Sequence, residues 1–252
     1  MKRARITEAF RRAKETGRGA FVAYMTAGYP TLEASEAAVD ELVADGADII
    51  ELGVPCSDPF ADGSVIRSAA YEAIRQGMDL DGTIAMARRL RSRHPDTGIV
   101  LFSYYNPVSA KGLKSFADDA AEAGVDAVLV VDIPLEEREE LLALLKPRGL
   151  GYIPLFAPDT PIEGVREIAS GLENSFLYVI TVKGVTGARA ELPADLPGRL
   201  EAIRAISPIP VAAGFGISTR SQADEVSRHA DGFIVGSALV KRLSEGLRPC
   251  LG

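Results

Sequence analysis

Three times along this chain the same short passage recurs. A helical stretch ends in a small turn built from glycine and alanine or valine, with an aspartate beside it, and a run of apolar and branched residues begins. Asp45-Gly46-Ala47-Asp48 leads into Ile49-Ile50-Glu51-Leu52, and Ala123-Gly124-Val125-Asp126 leads into Ala127-Val128-Leu129-Val130-Val131-Asp132. His229-Ala230-Asp231-Gly232 leads likewise into Phe233-Ile234-Val235. An internal repeat of a helix, a turn and a near-continuously apolar strand is the signature of a parallel sheet, whose strands are buried on both faces.

Filling the gaps by the same criterion gives strands near 20–26, 49–53, 99–104, 127–131, 151–156, 176–181, 210–213 and 232–235, with helices of roughly 10–15 residues between them. Eight such units predict a closed (β/α)8 TIM barrel, with a doubly wound open sheet as the alternative. At 252 residues, 47% of them hydrophobic, the chain is long enough for one such barrel, so a single domain over 1–252 is expected. An amphipathic helix over 6–16 precedes the first strand and would cover one end of the barrel. Thr31 is placed to cap the helix over 32–44.

Two loops break the rhythm. The one after the second strand leads into two helical segments, 64–76 and 80–93, around Gly77. The one after the sixth runs from Val182 to about Pro197 and contains Gly184, Gly187 and Pro193; glycine-containing loops of this length typically serve as lids.

In a barrel of this kind the active site lies at the C-terminal ends of the strands. Glu51 ends the second strand, Asp62 lies in the loop that follows, and Asp132 ends the fourth. A carboxylate where a buried strand stops is costly without a partner, so Glu51 and Asp62 are candidate catalytic residues; Asp58, followed by Pro59, reads equally well as a turn residue. Gly214 and Gly216 follow the seventh strand, and Gly236-Ser237 follow the eighth where the last helix begins. Glycine lets backbone N–H groups close on an anion and a helix N-terminus adds partial positive charge, which together suit a phosphate. Tyr24, Phe102, Leu129, Tyr178 and Phe215 could face the same mouth. Individually each also reads as barrel core; collectively they would form an apolar slot for a flat ring bearing a phosphorylated tail.

A net charge of −7 disfavours non-specific nucleic-acid binding. No apolar run approaches a membrane span and the start has no signal-peptide pattern, so a cytoplasmic protein is expected. Cys56 and Cys250 are read as free thiols and the two histidines, His94 and His229, as surface residues. No metal site is expected.

With Glu51-Leu52-Gly53-Val54-Pro55-Cys56-Ser57-Asp58-Pro59-Phe60-Ala61-Asp62-Gly63 in view, the chain resembles the tryptophan synthase alpha subunit family along nearly its whole length. Further matches are Tyr105-Asn106-Pro107, Asp132-Ile133-Pro134, Gly184-Val185-Thr186-Gly187 and Gly214-Phe215-Gly216-Ile217-Ser218. The resemblance implies retro-aldol cleavage of indole-3-glycerol phosphate to indole and glyceraldehyde 3-phosphate, without a metal or cofactor in this chain. It implies a beta-subunit partner carrying pyridoxal phosphate, in an alpha2beta2 heterotetramer. Glu51 would be the general acid/base and Asp62 would stabilise positive charge on the indole nitrogen. Thr186 would close over the site, Gly187, Gly216, Gly236 and Ser237 would hold the phosphate, and Tyr178 and Leu129 would line the indole pocket, with Tyr24 and Phe102 at positions that vary in the family.

Cys56 stands where that family usually has phenylalanine, and Ser64 where proline commonly follows Asp-Gly. Both flank the loop expected to meet the partner. The alternatives are a stand-alone indole-releasing lyase, a weakly active subunit that mainly activates its partner, and another phosphate-binding barrel such as a sugar-phosphate isomerase or aldolase. Against a Schiff-base aldolase, no lysine ends any of the expected strands.

Overall fold

The computed structural model describes residues 4–134, 137–181, 195–214 and 216–251. Nine strand segments form one parallel sheet: β1 (Ala20–Thr26), β2 (Ile49–Gly53), β3 (Gly98–Ser103), β4 (Ala127–Val130), β5 (Gly151–Tyr152), β6 (Leu155–Phe156), β7 (Leu177–Ile180), β8 (Val211–Gly214) and β9 (Gly232–Val235). Their order is β5-β4-β3-β2-β1-β9-β8-β7-β6.

The two edge segments, β5 and β6, are the halves of the single fifth strand expected from the sequence, so the sheet closes on itself into a barrel of eight staves. Pro154 causes the split, because it has no N–H to give to a ladder. The flanking bonds survive: Ile153 N donates to Val128 O at 2.9 Å, and Pro154 O accepts from Tyr178 N at 3.0 Å.

The repeated aspartate has a structural explanation. Asp48 accepts the backbone N–H of Phe21 at 2.9 Å, Asp126 that of Ile99 at 3.0 Å and Asp231 that of Val211 at 2.9 Å. In each case the residue leading into one strand pins the start of the strand beside it. Each carboxylate is also held by arginine: Asp48 by Arg18, Asp126 by Arg5 and Arg91, and Asp231 by Arg204. The register is thus fastened at the N-terminal ends of the strands, leaving the C-terminal ends free to carry chemistry.

Helix α1 (Arg5–Glu15) turns Ile6, Ala9, Phe10 and Ala13 inward. These pack into one interior cluster with Val22, Ile49, Val100, Ile153, Phe176 and Ile234, and the Phe10 and Phe176 rings lie 5.4 Å apart. This is the expected cover over one end of the barrel; burying a Phe or Ile side chain contributes ~1.5–3 kcal/mol. No side chain of the helix's own N-cap satisfies its first turn. Asn174 does so from the far side of the barrel floor, its Oδ1 accepting from Ile6 N at 2.9 Å.

Helix α2 (Leu32–Ala44) starts on Thr31, whose side chain accepts from Ala34 N. The loop after β2 runs into α3 (Ser64–Arg75) and α4 (Leu80–Arg93), bent at Gly77 with φ +84°, a conformation that favours glycine. Several of the other helices are shorter than the expected 10–15 residues. The segment after β3 breaks at Gly112 into α5 (Tyr105–Lys111) and α6 (Leu113–Glu122), and among the described residues those after β4 and β6 carry the short helices α7 (Glu139–Leu145) and α8 (Val165–Ala169), each with a 3-10 turn beside it. The last three helices are α9 (Leu196–Ile206), α10 (Arg220–His229) and α11 (Ser237–Ser244).

Candidate active site

Strand alternation decides which side chains enter the barrel. Tyr24 pairs in register with Glu51, and Glu51 with Val100 of the interior cluster; one level higher, Gly53 pairs with Phe102 and Phe102 with Leu129. Glu51 therefore points into the lumen from the upper half of β2. It is fully buried, and neither carboxyl oxygen has a hydrogen-bond partner among the described residues. Burial with nothing to stabilise the charge raises its pKa from 4.5 to about 8.

Asp62 sits where the loop after β2 turns into α3. The loop is folded by short turns, Phe60 N donating to Asp58 O and Asp62 N to Pro59 O, so Asp58 is the turn residue that its following proline suggests. Asp62 is 7% exposed, and burial lifts its pKa to about 6, opposed by the Tyr104 hydroxyl and by the charge of Arg67. The Tyr104 hydroxyl donates to Asp62 Oδ2 at 2.9 Å and accepts from Ala61 N at 3.1 Å. Both carboxyls act on the same two buried tyrosines: the charges of Glu51 and Asp62 each disfavour ionisation of Tyr24 and of Tyr178. Two carboxyls and two tyrosines thus share one mouth.

The apolar walls are ordered by ring contacts. Tyr24 and Phe102 meet edge to face at 5.3 Å, and Leu129 is fully buried beside Phe102 in register. Tyr178 neighbours Leu155 and Ala212. Two glycines make room for the tyrosines: a Cβ on Gly53 would stand 2.1 Å from the Tyr24 hydroxyl oxygen, and one on Gly214 2.6 Å from that of Tyr178.

Two of the turns expected to bind phosphate fall on this face. Gly216 adopts φ +89°, and Gly236 is the N-cap of α11 with no side-chain cap, leaving Ser237 at its first position. A Cβ on Gly236 would lie 3.4 Å from Tyr24 Cβ, so this helix start adjoins the residue paired with Glu51. Thr186, Gly187 and Phe215 lie outside the described residues.

Asp132, at the end of the fourth strand with the other mouth carboxylates, also accepts Tyr105 N at 2.6 Å and holds the start of α5. Tyr104 and Gly53 were not singled out as site residues, whereas Gly214 was expected at the phosphate turn and also makes room for Tyr178. Tyr104 could have been, since it follows the third strand at its C-terminal end, directly before Tyr105-Asn106-Pro107. His94 pairs with Asp40 at 2.6 Å and His229 with Glu201 at 2.8 Å, both away from the mouth, and Cys56 and Cys250 are free thiols.

The sequence profile of the family described as Tryptophan synthase alpha chain matches residues 10–249. The chain belongs to the tryptophan synthase alpha chain family. It is 45% identical over 238 residues to the tryptophan synthase alpha chain of Citrifermentans bemidjiense, covering 94% of this chain and 88% of that one. It is 44% identical to that of Geobacter sulfurreducens over 94% of this chain and 89% of the relative. Among solved structures, Mycobacterium tuberculosis tryptophan synthase superposes with a TM-score of 0.88 at 36% identity, covering 96% of this chain and 91% of that one. No helix among the described residues is long and apolar enough to cross a membrane.

Proposed function

We propose a division of labour between the two buried carboxyls for the reaction of this family. The chain is an indole-3-glycerol-phosphate lyase of tryptophan biosynthesis and works with a beta subunit. In our reading Glu51, protonated, gives its proton to the indole ring carbon that bears the glycerol phosphate. The ring nitrogen becomes an iminium, which the Asp62 carboxylate stabilises. Glu51, now a carboxylate, takes the proton of the hydroxyl on the adjacent carbon; the carbon–carbon bond breaks, its electrons return to the ring, and indole and glyceraldehyde 3-phosphate result. Glu51 ends as it began, so one residue serves as acid and then base.

The observation that carries this reading is the opposite demand on two acids in one pocket. Glu51, without a partner and with a pKa of about 8, stays protonated at neutral pH, while Asp62, bonded to Tyr104 and with a pKa of about 6, is ionised. Environments that push two acids apart in this way separate a proton donor from an electrostatic stabiliser. The sequence of steps predicts a bell-shaped profile of kcat/KM with limbs near these two values. A profile lacking any ionisation that disappears in Glu51→Gln would refute the assignment.

Tyr24, Phe102, Leu129, Tyr178 and Phe215 would enclose the indole ring, Thr186 would close over it, and Gly187, Gly216, Gly236 and Ser237 would take the phosphate through backbone N–H groups. We also read the 252 residues as one barrel domain acting in the cytoplasm, within an alpha2beta2 assembly whose beta subunits supply the pyridoxal phosphate. Mixing with a beta subunit should accelerate indole formation. No change on mixing would favour the second reading, a stand-alone indole-releasing lyase.

A further inference from the structure

At the end of the barrel opposite Glu51 lies a cavity of about 530 Å³. It opens between α7 and the turn over 170–174, beneath the start of β5, and Ala4 at the head of α1 contributes to its wall. Its volume falls within the range of small-molecule pockets. Leu142, Leu150, Leu172 and the Tyr152 ring give it an apolar wall.

Two polar residues on this wall are buried, and one of them has an unmatched donor. Arg138 is 6% exposed; its Nη1 donates to Ile168 O at 2.8 Å and its Nη2 lies 3.4 Å from Glu167 O, but its Nε has no hydrogen-bond partner. Among the described residues the Glu139 carboxylate stands 4.0 Å from Nε, beyond hydrogen-bonding reach, and is mostly exposed. Tyr152 is 5% exposed beneath the guanidinium, which stands 6.0 Å from its ring centroid; its hydroxyl, with a pKa pushed up to about 12 by burial, stays a neutral donor. A buried guanidinium donor left unmatched is costly, and a cavity beside it offers the place where a match could enter.

The rim is spanned by strained or glycine-dependent backbone. Asn174 holds φ +48°, unusual for a residue with a side chain, and is fixed there by its bonds to Ile6 N and Asp126 O. Gly149 and Gly171 take φ +66° and +70°.

We propose that this cavity is a second binding site, separate from the barrel mouth, for a compact carboxylate with an apolar body. The carboxylate would accept from Arg138 Nε and the Tyr152 hydroxyl, with Lys146 at the rim adding positive charge, and the body would lie against Leu142, Leu150 and Leu172. Glu139 and Glu173, also on the rim, repel a multiply charged anion, so a phosphate ester or dicarboxylate is disfavoured. An aryl carboxylate satisfies these conditions whether it comes as a free acid or as the carboxylate of an apolar amino acid.

Titration of the full-length protein with 3-phenylpropanoate, L-phenylalanine and 3-phenylpropanamide, followed by amide NMR, tests this. Either carboxylate should shift the amides of Leu150, Gly151, Leu172 and Asn174 saturably, and the stronger of the two shows whether an ammonium group is received; 3-phenylpropanamide should bind at least tenfold more weakly. Arg138→Gln should weaken binding tenfold or more. Because Arg138 also ties down the carbonyls of Glu167 and Ile168, Leu142→Trp, which fills the cavity and leaves those bonds alone, should do the same with unchanged indole turnover. Absence of saturable binding by both carboxylates, equal binding of the amide, or shifts confined to the Tyr24 and Phe102 end would overturn the proposal.

Discussion

Glu51→Gln should stabilise the protein, by an amount that grows with pH. In the folded chain the Glu51 carboxyl is sealed from water with no partner and has a pKa of about 8, whereas an unfolded chain would return it to its ordinary 4.5. Between those values the folded state holds a proton that the unfolded state has released, so stability falls as pH rises, by about 1.4 kcal/mol per pH unit. Across the whole interval, at ~1.36 kcal/mol per pKa unit, the loss approaches about 5 kcal/mol. Glutamine has nearly the same shape and does not titrate, so it keeps whatever cost attends an unpaired buried polar group while removing the pH-dependent part.

Urea unfolding of both proteins at half-unit intervals from pH 5 to 9 gives the difference directly. The variant's advantage should widen steadily from pH 5 to about 8 and then level off, with equal m-values throughout. Asp62, whose pKa is also raised by burial, titrates in both proteins and drops out of the comparison. Two stability curves that run parallel across this range would show that Glu51 is not held protonated by burial, and the acid-first mechanism would lose its basis.

Tyr104→Phe removes the hydrogen bond that holds the Asp62 carboxylate, a charged interaction of ~1.5–3 kcal/mol. kcat should fall roughly tenfold or more, and the acid limb of the pH–rate profile should move upward as Asp62 becomes harder to ionise; an unmoved limb would reduce Tyr104 to a packing residue. Asp126→Ala leaves Arg5 and Arg91 facing each other at the barrel floor and should cost ~3–5 kcal/mol in urea unfolding, whereas a loss below about 1 kcal/mol would mean that the aspartate clamp does not secure the register. Gly214→Ala should impair kcat/KM far more than stability, because its methyl group meets the Tyr178 ring at the mouth; activity within about twofold of wild type would show that Tyr178 has room to yield.

The barrel was legible in the sequence because its strands are short apolar runs that announce themselves by composition and recur after the same turn. Thr31 and Gly77 were legible for a similar reason: each acts on neighbours within a few residues. What escaped notice depends on contacts between distant segments. Asn174 caps a helix through Ile6, 168 positions earlier in the chain, and no local pattern marks it. Tyr104 matters because its hydroxyl reaches Asp62 across 42 positions. Gly53 reads as a strand-end residue and Gly214 as part of a phosphate turn until the tyrosines beside them are seen. The bond from Tyr105 N to Asp132 was likewise hidden, since a carboxylate at a strand end can hold a helix start as well as face a pocket. Pro154 was visible, but whether it ended the fifth strand or merely interrupted it depended on partners in β4 and β7.

The most direct test of the account is the rate of indole release from indole-3-glycerol phosphate by Glu51→Gln in the presence of a beta subunit, with the affinity for a non-cleavable substrate analogue measured in parallel. The account predicts a fall in turnover of at least about 100-fold, the scale of a lost acid–base group, with analogue affinity changed by no more than about threefold. Near-normal turnover, or a loss explained wholly by weaker binding, would contradict it.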